Sequence, residues 1–181
     1  MFGSLVKKKL DHNQLANVFV NSLYEAVESG FQDIADMINE DPAFVHSPGV
    51  DANFSDHFLI LVMVGNLRYL ETHFEADDAR EIRSKIIEKV AAIYEIAPAD
   101  FEKIVSEFDG LITRLNHPSK NTLYGMSKAL FHKFNLNDYQ EIYFKSLRSP
   151  NPLFLKRMDE IMLNFLWDWE AFFKKHKLQS V

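Results

Sequence analysis

Residues Phe58-Leu59-Ile60-Leu61-Val62-Met63-Val64 form an unbroken apolar run, and its continuation constrains the whole chain. A run of this length suits a buried strand or a buried helix. Leu67, Leu70 and Phe74 extend the row of Leu59 and Met63 at helical spacing, which decides for a helix over about 56–74. A helix apolar on every side has no face to offer water, so other elements have to surround it. The run is far short of the roughly 20 residues that a membrane-spanning helix needs. Membrane insertion is not expected.

The rest of the chain reads as helices to pack around that one. Asp11-x-x-Gln14 is a capping box, followed by Leu15, Val18, Phe19, Leu23 and Val27 at helical spacing, with Gly30 as the stop. Phe31, Ile34, Ala35 and Ile38 mark a short second helix, and 41–54, with Pro42 and Pro48-Gly49, an irregular stretch. Further starts are expected at Asp78-x-x-Glu81, Pro98, after the Asn116-His117-Pro118-Ser119 break, and at Asn137-x-x-Gln140. Ser149-Pro150-Asn151-Pro152 precedes a last helix over 153–177. No segment alternates with period two, so no sheet is expected. The expectation is an all-α, irregular bundle of about eight helices in a single domain over 1–181, with 1–10 a flexible basic segment.

Charge is unevenly spread. Residues 10–67 hold nine carboxylates (Asp11, Glu25, Glu28, Asp33, Asp36, Glu40, Asp41, Asp51, Asp56) and no Lys or Arg. Residues 114–181 carry eleven Lys and Arg against six Asp and Glu. The two ends can neutralise each other inside the fold, or the acidic segment can meet a basic partner. With a net charge of −6, non-specific attraction to nucleic acid or an anionic membrane is not expected. There are no cysteines, which removes disulfides and thiol chemistry and fits a reducing compartment. The first residues lack the order of a secretory signal, so the expected location is cytoplasmic.

Familiar catalytic patterns are missing. There is no His-Glu-x-x-His, no paired Glu-x-x-His and no Gly-x-Ser-x-Gly. Asp51-x-Asn53-x-Ser55 starts like a calcium loop but has Asp56 and Val62 where Gly and Glu are required; an oxygen-lined cation site near Asp51 and Asp56 is the residue of that idea. A haem would need one histidine facing an apolar cavity, for which His57, His73, His117 and His132 are candidates. No cofactor is expected from this reading.

Two places remain. At 100° per residue, His57, Leu61, Gly65, Arg68 and Thr72 share one face of the central helix. Gly65 admits close approach, and Arg68 with His57 could hold a small anion. The plainer account is that Gly65 admits a crossing helix and Arg68 pairs with an acid. On the last helix, Trp167 and Leu163 lie opposite the core stripe through Trp169, among charged residues. That placement suggests a homodimer or partner contact, unless the Phe2-Leu5-Val6 segment covers it. The ranking is a non-enzymatic interaction or regulatory module that self-associates, then a small-ligand or cofactor-binding bundle, then an enzyme with a site assembled from scattered residues.

Overall fold

The computed structural model describes residues 7–179. Among them the elements run β1 (Lys8–Leu10), α1 (His12–Glu40), α2 (Asp56–Leu67), α3 (Leu70–His73), α4 (Ala76–Ile93), α5 (Pro98–Asn116) and α6 (Thr122–Lys133), then a 3-10 turn (Leu136–Tyr139), α7 (Ile142–Leu147), α8 (Pro152–Met162), a second 3-10 turn (Leu163–Phe165), α9 (Trp169–Lys175) and β2 (His176–Leu178). The protein is all-α, with one small departure. β1 and β2 pair in parallel, Lys8 against His176 and Leu10 against Leu178. Strands of three residues are too short to leave a period-two signal. The pairing also ties down Lys8–Leu10, which the sequence assigned to a flexible segment. No helix among the described residues is long and apolar enough to cross a membrane.

The contacts gather into two compact units, and the chain passes between them inside α1, α2 and α5. The first unit holds residues 7–22, 66–104 and 167–179. Its opening is the expected capping box: Asp11 Oδ1 accepts from the Gln14 amide at 2.7 Å, and Gln14 Oε1 accepts from the Asp11 amide at 3.1 Å. Leu15, Ala16, Phe19 and Val20 are buried, as is the α4 stripe Ala79, Ile82, Ile86 and Val90. A bidentate pair, Arg83 with Glu102 at 2.6 and 2.9 Å, joins α4 to the start of α5.

The second unit holds Leu23–Gly65 and Val105–Leu166. The α2 residues Phe58 to Gly65 are all buried here. Phe58 packs on Phe31, with ring centroids 5.3 Å apart, and edge-on against Phe165 at 4.9 Å. Gly65 lies against Met126 of α6: a Cβ built on it would fall 2.3 Å from the thioether sulfur. One carboxylate of the acidic segment, Asp41, meets Arg157 of the basic one in a bidentate pair at 2.6 and 2.7 Å whose carboxylate is buried. Loop 41–54 is tied back by Asn39, which accepts from the Val50 amide at 2.7 Å and donates to its carbonyl at 2.9 Å.

Several helix ends differ from expectation; at Asn137-x-x-Gln140 the chain forms a 3-10 turn, and α7 starts only at Ile142. Gly30 does not stop α1; the helix runs through it, and a Cβ there would lie 3.1 Å from the Phe165 ring. Burial of Phe31, Ile34 and Ile38 outweighs the helix penalty of a single glycine, about 1 kcal/mol. The central helix ends at Leu67, and Leu70–His73 form a separate turn of helix. The last helix breaks after Met162. Leu166 is extended and Asp168 caps α9, accepting from the Ala171 amide at 2.9 Å.

The Gly65–Met126 contact is directly testable. Gly65→Ala should cost about 1–3 kcal/mol in urea unfolding through overpacking. Met126→Ala should cost about 2–5 kcal/mol alone, but clearly less when added to Gly65→Ala, because the methyl then occupies part of the emptied space. Strict additivity of the two would contradict the packing described.

Candidate functional site

The four residues assigned to an anion pocket do not assemble one. His57 is exposed near the start of α2, its ring 6.2 Å from Phe108 and 6.4 Å from Phe134. Gly65 is eight residues further along, about 12 Å up the helix, and the room beside it is filled by Met126. Arg68 lies past the end of α2, half-buried, and already engages a neighbour. Thr72 belongs to α3. The projection of all four onto one face depended on a helix that stops at Leu67.

Thr72 instead lines a groove of ≈ 640 Å³ in the first unit, with Glu71, His73, Phe74, Glu75 and Asp78 around it and Phe173 and Leu178 along one side. Asp78, expected to cap α4, bonds His12 Nε2 at 2.8 Å; the helix starts at Ala76. Three carboxylates make this groove unsuited to an anion. Among the described residues no cluster of three or more His, Asp or Glu is placed to hold a metal ion. Asp51, the leading cation candidate, spends Oδ1 on the Asn53 amide and side chain at 2.9 and 2.8 Å. The four histidines considered for haem are all exposed, unlike an axial ligand in an apolar cavity.

Trp167 and Leu163 part company. Trp167 is half-buried in the first unit, its ring 5.4 Å from Phe19, 5.9 Å from Trp169 and 5.9 Å from Phe172. Its amide donates to Asn66 Oδ1 at 2.7 Å. The break after Met162 turns this side chain into an aromatic cluster, so the sequence placement opposite Trp169 does not hold. Leu163 is in the second unit and stays exposed. The Phe2-Leu5-Val6 segment proposed as a cover lies outside the described residues.

The feature that sequence reading missed is the exposure of α7. Ile142, Tyr143 and Leu147 follow at helical spacing, yet α7 buries no residue. Ile142 is 82% exposed, with Tyr143, Leu147 and the nearby Leu153 also open. The excursion is held firmly at its base by buried Gln140. Gln140 Nε2 donates to the Ser149 carbonyl at 2.9 Å, and Oε1 accepts from the Asn151 amide at 2.7 Å. α7 is tied to the preceding 3-10 turn as well, because Asn137 Nδ2 donates to the Lys145 carbonyl at 3.3 Å. The visible signal was charge: residues 142–158 contain Lys145, Arg148, Lys156 and Arg157 and no carboxylate.

One half-buried polar pair links α6 and α8. Ser127 Oγ donates to Asp159 Oδ1. With no histidine joined to it, this serine has no base to make it a nucleophile. Burial pushes the Asp159 carboxyl above its ordinary value, while the Ser127 hydrogen bond pulls it back. Comparison with protein-family models, curated proteins and solved structures finds no match for this chain.

Two outcomes follow from these placements. Trp167→Ala should lower stability by about 3 kcal/mol, as for other large aromatic truncations, without changing the oligomeric state; weakened assembly at unchanged stability would restore Trp167 as a contact residue. For Asp159, a raised folded-state value means its contribution is fully present below the unfolded value and is lost as pH rises through the folded one. Asp159→Asn should therefore stabilise the protein more at pH 7 than at pH 3, measured by urea unfolding. A variant that is equally stabilised, or destabilised, at pH 7 would contradict the assignment.

Proposed function

We propose that this chain is a non-enzymatic interaction module that self-associates through α7. The observation that carries this reading is a helix that buries nothing while presenting Ile142, Tyr143 and Leu147. Apolar side chains on a helix normally reside there because they are covered, and an exposed apolar patch with a polar rim marks a contact surface. The anchoring by Gln140 supports a preformed surface, which lowers the entropy lost on binding.

The occupant is a second copy. Arg148 is exposed at the end of α7, and Lys145, 3.5 Å from Asp138 Oδ1, stays exposed as well, so two α7 helices facing one another would bring like charges together. The complementary surface is on the same chain. Phe54 is 70% exposed in the loop that precedes α2, between Asp51 and Asp56 in sequence, and α1 presents exposed Glu25, Glu28, Asp33, Asp36 and Glu40. An aromatic knob flanked in sequence by Asp51 and Asp56 suits an apolar patch that has basic residues beside it. Such a contact is head-to-tail, so it closes into a ring or grows as a chain of copies.

Sedimentation equilibrium over a range of concentrations tests this. The wild type should associate, more weakly as salt rises. Ile142→Asp and Phe54→Ser should each weaken association about 30-fold, as hot-spot losses of about 2 kcal/mol imply, with unfolding midpoints unchanged. A monomer at every concentration, or association indifferent to both substitutions, would overturn the proposal.

A further inference from the structure

The second unit has a groove of ≈ 440 Å³ lined by Ser106, Glu107, Gly110, Leu111 and Arg114 of α5 and by His132 and Lys133 of α6. Ser106, Gly110 and Arg114 follow at intervals of four and share one face of α5. Gly110 has no packing reason to be glycine. Its backbone is helical rather than left-handed, and a Cβ built on it meets nothing within 4 Å. A glycine inside a helix costs roughly 0.5–1 kcal/mol relative to alanine. What its missing side chain leaves is the open floor of the groove.

The walls are cationic. Arg114 makes no hydrogen bond or ion pair with the described residues, and its guanidinium is the planar fork that suits a phosphate. Lys128 of α6 lies over the Tyr124 ring at 4.4 Å and acts on His132 from the same helix. The one carboxylate present is already answered: Lys133 Nζ lies 2.7 Å from Glu107 Oε1 and 4.0 Å from the Phe108 ring centroid. His57 of α2 also acts on Glu107. Counting Arg114, Lys128 and Lys133 against Glu107, the charged groups around His132 leave an excess of positive charge among the described residues.

We propose that the groove between α5 and α6 binds a phosphate group, gripped by Arg114 and His132 over the open floor at Gly110. The site is separate from α7 and does not depend on self-association. The neutral imidazole offers one N–H, and its protonated form offers two, so bound phosphate favours protonation. Partial desolvation of the ring first, and then Arg114 and Lys128, hold His132 below its ordinary value although the residue is exposed; an anion reverses the charge part of that effect.

The test is an NMR titration of the His132 ring in the full chain, in chloride, in inorganic phosphate and in glycerol phosphate at equal ionic strength. The midpoint should rise in the phosphate arms; an anion that prefers the imidazolium form about tenfold raises it by about one unit at saturation. A larger rise at lower concentration with glycerol phosphate assigns the site to esterified ligands, and the reverse order assigns it to the free ion. Arg114→Gln should raise the midpoint in chloride and abolish the response to phosphate. Gly110→Leu should also abolish that response while leaving the protein at least as stable as the wild type. A midpoint identical in chloride and both phosphates, or a response that survives both substitutions, would overturn the proposal.

Discussion

A helix with no polar face has to be covered from all directions, and α2 makes that demand on its surroundings. Phe58 meets Phe31 and Phe165, and Gly65 gives α6 the room to lay Met126 against the backbone. At interior packing density even one added methyl is felt. Gly65 is therefore a packing residue, and the anion pocket inferred around it has no space. The same cover explains why α1 continues through Gly30: Phe165 takes the place a side chain would have, and Phe31 beyond it is needed against Phe58.

Polar groups fix what apolar burial alone leaves loose. Hydrophobic attraction is non-directional, whereas a buried amide or carboxylate has to find its partners. Asp41 with Arg157 ties the end of α1 to α8. Gln140 closes the excursion that carries α7 by bonding its far end. The consequence is a short helix whose position is set by hydrogen bonds at its base, leaving its apolar side chains uncommitted. That separation of holding from covering is what makes α7 a docking surface in our account.

The sequence was informative where signals were local or strongly periodic. The apolar run in α2 and the capping box at Asp11 both appear as read, because each depends on neighbours within a few residues. It was misleading where a tertiary partner decides. Asp168 competes as a cap in the middle of a continuing apolar rhythm, and the buried Asn66 holds the Trp167 amide across about a hundred residues of sequence. Both facts redirect Trp167, and neither is visible in spacing. Ile142, Tyr143 and Leu147 have helical periodicity, but periodicity tells only that a face is apolar. Whether this chain or another covers it is a question of packing. The groove at Gly110 was hidden for a related reason: a glycine inside a helical pattern marks a crossing, a cap or an opening, and only the neighbours distinguish them.

The most direct test of self-association through α7 is backbone hydrogen exchange of the intact chain at low and high protein concentration. Local opening is slowed where a partner covers the backbone. Our account predicts that raising the concentration slows exchange across α7 and the turn to Leu153, and in the loop carrying Phe54, with the amides of α4 unchanged. Concentration-dependent protection confined to Leu163–Trp167, or none on α7 under conditions where the protein associates, would contradict it.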